Sequence, residues 1–465
     1  MNLELTPPLS KLMNALHAAG AKPLLVGGCV RDALLGLKPK DHDVEVYHID
    51  APSLEQELNN IGSVHAVGRA FGVLKVTVQH QEQNETIDVS LPRTENKKGQ
   101  GHRGFIVTPD PSLDFHHASL RRDFTINAMG YDPITQTLLD PHGGQKDLDA
   151  KILRHVSEAF GEDPLRVLRA AQFKARFGLN VATETLQLCR ALKEELSHLP
   201  KERLYWEFEK LFLQSTHPAS GLRFLQECHA LSLFPELIKL IDCPQEPEWH
   251  PEGDVWYHTL LVLDEAARLC REEKADDTTT LTILFAALCH DLAKPATTKR
   301  AEGRIRSRGH ENGGEKPTRK LLERLGVSKG IIETVVQLVK EHLKPYQLYA
   351  VRDEVSDAAL KRLSLRAPIK ELCLLARADC FGRTTPEALA HKDVATDWLW
   401  QQSQRLQLKK EPPTPILQGR HLIEMGLQPG PSFKKLLAQA FDAQLESLFV
   451  DEHTALAWAK LNLIE

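Results

Sequence analysis

Apolar positions recur at helical spacing over residues 9–19, and a short apolar run at 23–26 ends in Gly27-Gly28. A second helical pattern restarts over 30–35. Val44 and Val46, with Asp41 and Asp43 ahead of them, alternate with period two, which predicts a half-buried strand. Residues 64–67, 73–78 and 86–91 are rich in β-branched side chains and predict further strands. The glycine-rich basic stretch 93–104 reads as a mobile loop. From about Asp147 onward strand signals disappear and amphipathic helical patterns take over. The expected fold class is therefore α+β, with a mixed-sheet head over 1–146 and an all-α body. That body divides into a helical neck at 147–225, a helical domain at 226–395 and a helical tail at 396–465, with a Pro-rich linker, Glu411-Pro-Pro-Thr-Pro415, inside the tail.

Composition narrows the classes. The 465 residues are 42% hydrophobic and 26% charged, as in an ordinary multi-domain globular protein. No apolar run reaches the roughly 20 residues that span a bilayer, and Met1–Ser10 lacks the features of a signal peptide. A cytoplasmic protein is expected, with no membrane partner. The eight cysteines form no CxxC pair and read as free, buried thiols. A net charge of −5 argues against nonspecific coating of nucleic acid, but a local basic groove remains compatible with RNA binding.

The candidate chemistry begins in the head. Asp41 and Asp43 stand at i and i+2, so a strand aims both carboxylates to one face. Their repulsion is relieved by a divalent cation, and Mg²⁺ prefers such oxygen ligands. Asp88, on the strand predicted at 86–91, would add a third carboxylate; three can hold two metals, one activating a hydroxyl and one stabilising a leaving group. Upstream, in Leu25-Val-Gly-Gly-Cys-Val-Arg-Asp-Ala-Leu-Leu-Gly36, Gly27 and Gly28 let backbone approach a phosphate, and Arg31 adds a charge-assisted contact.

These residues carry a resemblance. Gly-Gly-x-Val-Arg-Asp-x-Leu-Leu-Gly followed by Asp-x-Asp resembles the first motif of class II tRNA nucleotidyltransferases and bacterial poly(A) polymerases. Arg121-Arg-Asp-Phe-Thr-Ile-Asn-Ala128, Asp140-Pro-His-Gly-Gly-x-x-Asp-Leu148, Glu162-Asp-Pro-Leu-Arg-Val-Leu-Arg169 and Ala175-Arg-Phe-Gly-Leu179 follow in the family's order. The resemblance implies a polymerase-β-like head that adds nucleotides to an RNA 3′ end without a template, with tRNA, CTP and ATP as partners. It implies Mg²⁺ on Asp41 and Asp43, triphosphate on Gly28 and Arg31, ribose on Arg122 and Asp123, and base selection by Asp163, Arg166 and Arg169. For Asp163 and Arg166 that implied role is compatible with simple hydrogen-bond chemistry. Ionised Asp163 only accepts and Arg166 only donates, which complements the amino group and ring nitrogen that cytosine and adenine share. Uracil and guanine present the reverse order and leave groups unpaired, at a cost of about 1–3 kcal/mol each. The loop at 94–117, with Lys97, Lys98, His102 and Arg103, matches the segment that in this family accompanies the switch from C to A addition, and tilts the expectation to full CCA or A addition.

A second constellation lies in the body. His258, the doublet His290-Asp291 and the distant Asp379 resemble the ligand set of HD phosphohydrolases, with His310 and His342 as ligands to a second metal. Imidazole and carboxylate together suit Mg²⁺, Mn²⁺ or Ni²⁺, and the implied activity is hydrolysis of a 2′,3′-cyclic or 3′-terminal phosphate. Candidates for RNA contact are Arg203, Lys210, Arg319, Lys320, Arg324, Lys361, Arg362, Arg366, Lys409 and Lys410. The alternatives are a poly(A) polymerase or an A-adding enzyme on the same head, and, from another class, an HD metal phosphohydrolase whose head only binds RNA.

Overall fold

The computed structural model describes residues 3–65, 73–81, 83–97, 105–408 and 412–463, with backbone alone at 94–97 and 105–108. Lys98, His102, Arg103, Lys409 and Lys410 lie outside the described residues. The chain forms two compact units: Met1–Leu211 with Ser220–Leu233, and Phe212–Ala219 with Phe234–Glu465.

In the first unit, Leu9, Leu12, Met13 and Leu16 of helix Pro7–Ala18 fall on one stripe and are fully buried. The stripe lies on strands Val73–His80 and Gln83–Ser90. Burial of each such side chain is worth about 1.5–3 kcal/mol, and Thr6 caps the helix by accepting from Leu9 N. The strands belong to a seven-stranded sheet in the order Ser63–His65, Val73–His80, Gln83–Ser90, Asp43–Tyr47, Lys22–Val26, Gly130–Asp132, Thr137–Leu139. All neighbours are antiparallel except Asp43–Tyr47 with Gln83–Ser90, a parallel pair whose register sets Asp43 beside Asp88.

Three expectations change here. Strand Asp43–Tyr47 begins at Asp43, so Asp41 precedes it; the alternation nevertheless extends back, with His42 buried between exposed Asp41 and Asp43. The expected loop at 93–104 has ordered arms, because Arg93–Lys97 pairs antiparallel with Phe105–Pro109. Strand structure also continues past Asp147. Ile152–Leu153 pairs parallel with Asn180–Val181, and Lys299–Ala301 pairs antiparallel with Arg304–Arg306. These pieces are two or three residues long, too short to show a period of two.

The second unit is helical around Asp277–Cys289, whose residues Leu281–Cys289 are buried without interruption. A helix buried on all sides shows no apolar stripe, only a continuous apolar run. Helices Val255–Glu272, Lys329–Glu341 and Ile369–Phe381 pack on it. Val255–Glu272 starts where Asp254 accepts from Tyr257 N. Helices Ser432–Leu445 and Glu452–Asn462 build a small core of their own from Leu417, Ala440, Ala443, Phe449, Ala455 and Ala459. No described helix is long and apolar enough to cross a membrane.

Candidate active site and metal centre

A cavity of about 470 Å³ in the first unit gathers most of the head and neck candidates. Gly27, Gly28, Arg31, Asp43, Arg122, Asp123, Asp163, Arg166 and Arg169 line it, together with Arg93, Arg121, Asn127 and Arg203. Seven arginines against three aspartates make the wall strongly cationic, which suits a triphosphate. Gly27 is required twice over: its φ is +76°, and a Cβ there would lie 2.9 Å from Arg122 Nη1.

At the carboxylate edge, Asp43 faces the cleft. Partial burial raises its pKa; the Arg122 charge opposes this, Asp88 and Asp41 add to it, and Lys75 opposes. The sheet register places Asp43, Asp88 and Lys75 in a row, and Lys75 Nζ lies 2.5 Å from Asp88 Oδ1. Asp88 is thus paired with a lysine. Among the described residues, the three-ligand groups within 4.8 Å of one another do not include Asp41, Asp43 and Asp88 together. The alternation that picked out Asp41 and Asp43 continues to Glu45. Its fully buried carboxylate lies 3.0 Å from Arg121 Nη2 and 3.4 Å from Arg122 Nη2 and accepts from Tyr47 Oη. Glu45 therefore positions both arginines on the cavity wall.

The next layer is a chain of charge-assisted bonds. Arg31 is buried, donates to Asp32 Oδ1 from Nε at 2.9 Å and Nη2 at 2.6 Å, and to Asn127 Oδ1 from Nη1. Asn127 Nδ2 donates in turn to Asp123 Oδ1 at 3.1 Å. Asp123 Oδ2 accepts from Arg169, 2.6 Å from Nη2 and 2.7 Å from Nε. Burial alone would raise the Asp123 carboxyl, but Arg169 and Asn127 hold it below its ordinary range. The Asp140 motif braces this layer from behind. Asp140 accepts from Gly144 N at 2.6 Å and Gln145 N at 2.9 Å, and Asp147 accepts from Thr125 Oγ1 at 2.8 Å. Gly144 packs so closely that a Cβ would meet Thr125 O at 2.2 Å.

Asp163 and Arg166 both line the cavity, but each has further partners. Arg203 grips both Asp163 oxygens, at 3.2 Å and 2.8 Å, and Leu165 N donates to Asp163 Oδ1 at 3.1 Å. Arg166 donates to Ala159 O and Arg121 O, each at 2.6 Å. Arg203, read from sequence only as an RNA contact, belongs to this cavity. The other basic candidates within the described residues are also engaged. Lys210 pairs with Glu207, Arg319 with Glu333, Lys320 and Arg324 with Glu236, Arg362 with Glu446 and Arg366 with Glu341, while Lys361 donates to Leu445 O.

The second unit holds the HD residues. His258 stands in the first turn of Val255–Glu272, His290 and Asp291 follow Asp277–Cys289, His342 follows Lys329–Glu341, and Asp379 lies in Ile369–Phe381. His258, His290, Asp291, His310, His342 and Asp379 are all buried. Helices Val255–Glu272 and Ile369–Phe381 meet at Gly382, where a Cβ would lie 2.5 Å from Val262 Cγ2 and 2.8 Å from its backbone N. That contact brings His258 Nε2 to 3.0 Å from Asp379 Oδ1. Two ligand groups result, His258–His290–Asp379 and Asp291–His310–His342. Sequence reading missed Glu252, whose Oε1 lies 2.8 Å from Nδ1 of both His250 and His258, and the cations Lys294, 2.7 Å from Asp291, and Arg383, 3.1 Å from Asp379.

These residues fit a metal. The Nδ1 atoms of His290, His310 and His342 lie 2.6–2.8 Å from the carbonyl oxygens of Ala287, Ser307 and Val339. Each Nδ1 therefore carries the proton and each Nε2 presents a lone pair inward. His310 Nε2 and His342 Nε2 face each other at 3.3 Å. Nε2 of His290 and His310 lie 3.1 Å and 3.2 Å from Asp291, whose two buried oxygens make no hydrogen bond of normal geometry. Lone pairs aimed at carboxylates call for positive charge between them. Burial would lower the His290 and His310 pKa values, but Asp291 pulls both up, while burial and the neighbouring histidines push His342 down to about 3. A divalent cation supplies the missing charge without protonating the ligands.

Fold and site together define a nucleotidyltransferase head joined to an HD metal centre. The chain matches the family profiles for the poly A polymerase head domain over residues 24–154, the probable RNA and SrmB-binding site of polymerase A over 178–241, and the HD domain over 255–384. Both the nucleotidyltransferase and the HD class are metal-dependent. It is 42% identical over 371 residues to the multifunctional CCA protein of Xylella fastidiosa, covering 78% of this chain and 84% of that one. It is 38% identical over 383 residues to that of Laribacter hongkongensis, covering 80% and 88%. The chain belongs to the family of the multifunctional CCA proteins. Its fold matches the Bacillus stearothermophilus CCA-adding enzyme in complex with CTP, with TM-score 0.65 at 19% identity, covering 99% of this chain and 98% of that one. It likewise matches the Thermotoga maritima CCA-adding enzyme complexed with tRNA, with TM-score 0.60 at 18% identity, covering 99% and 96%.

Proposed function

We propose that this enzyme adds C, C and A to the 3′ end of tRNA from CTP and ATP, releasing pyrophosphate, with Mg²⁺ at Asp41 and Asp43. The observation that carries the reading is that Asp163 and Arg166 line the same cavity as Asp43. One bound nucleotide can then meet the carboxylate edge with its phosphates and the Asp163–Arg166 pair with its base. The bound metal supplies charge neutralisation and activation of the primer's 3′-hydroxyl. Gly27 and Gly28 admit the triphosphate, and Arg122 and Asp123 meet the ribose. Asp163 accepts from the exocyclic amino group of cytosine or adenine and Arg166 donates to the adjacent ring nitrogen, while Arg169 fixes Asp123. Asp88 serves as the neighbour that holds Lys75 and tunes Asp43. We keep the functional division at 1–146, 147–225, 226–395 and 396–465, and place the enzyme in the cytoplasm.

For the second unit we infer a phosphohydrolase acting on 2′,3′-cyclic or 3′-terminal phosphates with Mg²⁺, Mn²⁺ or Ni²⁺. Such an activity would clear a damaged RNA end before nucleotides are added. The supporting observation is the set of inward lone pairs on His290, His310 and His342 around Asp291.

One experiment tests the head. tRNAs lacking A, CA or CCA are incubated with each nucleoside triphosphate, and product lengths are read on a gel. Three-nucleotide completion from CTP and ATP, abolished by Asp43→Ala, is expected. Unlimited extension with ATP alone would make the enzyme a poly(A) polymerase, and unaltered addition by Asp43→Ala would remove the head as catalyst. For the second unit, hydrolysis of 2′,3′-cyclic AMP is expected to disappear in His290→Ala with nucleotide addition intact. Absence of hydrolysis with Mg²⁺, Mn²⁺, Ni²⁺ and Co²⁺ alike would sink that reading.

A further inference from the structure

The cavity beside the HD residues, about 230 Å³, has one wall that the metal chemistry does not use. Asp291, His310, His342 and Asp379 line one side, with Lys294 and Arg383 as neighbouring cations. Trp249 also lines it, and this residue is 53% exposed. A tryptophan half in water at a cavity rim adds little to the core and leaves an aromatic face beside the cavity's charged groups.

The backbone that carries the ring is held in place. Trp249 N and His250 N donate to Glu246 O at 3.0 Å and 2.9 Å, forming a tight turn. Glu246 Oε2 accepts from Ile305 N at 2.8 Å, which ties that turn to the hairpin Lys299–Ala301 and Arg304–Arg306. Gln245 donates to Gly253 O at 3.3 Å and accepts from Lys294 Nζ at 2.7 Å. The backbone that carries the indole is therefore fixed both to a neighbouring strand and to a lysine of the pocket. Pre-organisation of this kind lowers the entropic cost of stacking.

We propose that Trp249 is a nucleobase platform, so that the metal pocket takes a nucleoside phosphate with its base stacked on the indole, in preference to a phosphate ester without a base. The inference rests on reading the pocket as a phosphohydrolase. Its ligand is an unpaired nucleotide, such as the last residue of an RNA strand, whose phosphate lies toward Lys294, Arg383 and the metal ligands. Stacking on an aromatic side chain tolerates every base, so the platform confers a preference for nucleotides and not for one base.

The test uses the full-length protein with Trp249→Ala and Trp249→Phe. Two substrates are compared, adenosine 2′,3′-cyclic phosphate and methyl riboside 2′,3′-cyclic phosphate, which has no base. Loss of one stacked base corresponds to a change of about tenfold. Trp249→Ala is expected to raise KM for the adenosine substrate about tenfold, with kcat little changed and the base-free substrate unaffected; Trp249→Phe keeps most of the preference. An equal loss on both substrates would mark Trp249 as merely structural, and no loss on either would remove the platform; both overturn the proposal. If the wild type hydrolyses neither substrate, the phosphohydrolase reading fails and calorimetric binding of 3′-AMP and methyl riboside 3′-phosphate decides. A preference for 3′-AMP that Trp249→Ala erases supports the platform, and its absence overturns it.

Discussion

Replacing Arg203 by leucine should damage base selection without emptying the cavity. In the structure Arg203 engages both oxygens of Asp163, at 3.2 Å and 2.8 Å, and the other bond to this carboxylate comes from Leu165 N at 3.1 Å. The side chains are 15% and 23% exposed, so the pair is partly screened and its worth must be discounted from that of a buried ion pair. One net charge-assisted bond, about 1.5–3 kcal/mol, is a fair measure of what fixes the orientation of Asp163. Each 1.4 kcal/mol is about tenfold, so kcat/KM for CTP and ATP should fall about 10- to 100-fold. Misincorporation of UTP and GTP should fall much less, because their rejection depends on the same carboxylate. The assay is single-nucleotide addition to tRNAs lacking CCA or the final A, with each of the four triphosphates titrated separately. The variant should still bind triphosphate, since Gly27, Gly28 and Arg31 are untouched. If Arg203→Leu keeps kcat/KM for CTP and ATP within about twofold, and rejects UTP as strongly as the wild type, Arg203 does not orient the base-selecting carboxylate.

Other outcomes follow from the same geometry. Asp163→Asn replaces one acceptor by a donor, so incorporation of UTP should rise relative to CTP, measured in competition on the same tRNA. Removing divalent cations from the wild type should lower the thermal midpoint of the second unit, and restoring them at about 100 times Kd should return about 2.7 kcal/mol; His290→Ala should lose that response, read by calorimetry. Gly382→Ala forces a methyl group within 2.8 Å of the Val262 backbone, so it should cost about 1–3 kcal/mol and weaken metal binding by parting His258 from Asp379. Burial works against the ionised Asp123, but Arg169 and Asn127 win and its folded pKa is depressed. Its stabilisation is thus complete above the unfolded carboxylate value of about 3.9 and vanishes as pH falls through the folded value below it. Asp123→Asn should therefore lower the head's thermal midpoint at pH 7, with the gap to wild type closing below about pH 4.

What the sequence reveals about these sites depends on whether the signal is local. The pair Asp41 and Asp43 is legible because a strand repeats every two residues, and the same period would have found Glu45 had the count been carried one step further. Asp88 was legible as a strand carboxylate but not as the partner of Lys75, 13 positions away, since that pairing is fixed by the register of two neighbouring strands. Arg203 lies 40 positions from Asp163 and reads as an ordinary helix cation until the fold brings the two together. The hairpin arms at 93–97 and 105–109 were hidden by the glycine-rich, basic segment between them, which carries a loop composition whatever its flanks do. The histidines of the second unit lie between these cases. His290-Asp291 is a visible doublet, but its chemistry rests on the carbonyl oxygens of Ala287, Ser307 and Val339. Those backbone acceptors set which ring nitrogen carries the proton, and no side chain in the sequence encodes them directly. A helix terminus does: its last carbonyls are left without amide partners and accept from a histidine three residues on. His290 and His342 both stand at such termini, so the end of a helix orients each ligand before a metal arrives.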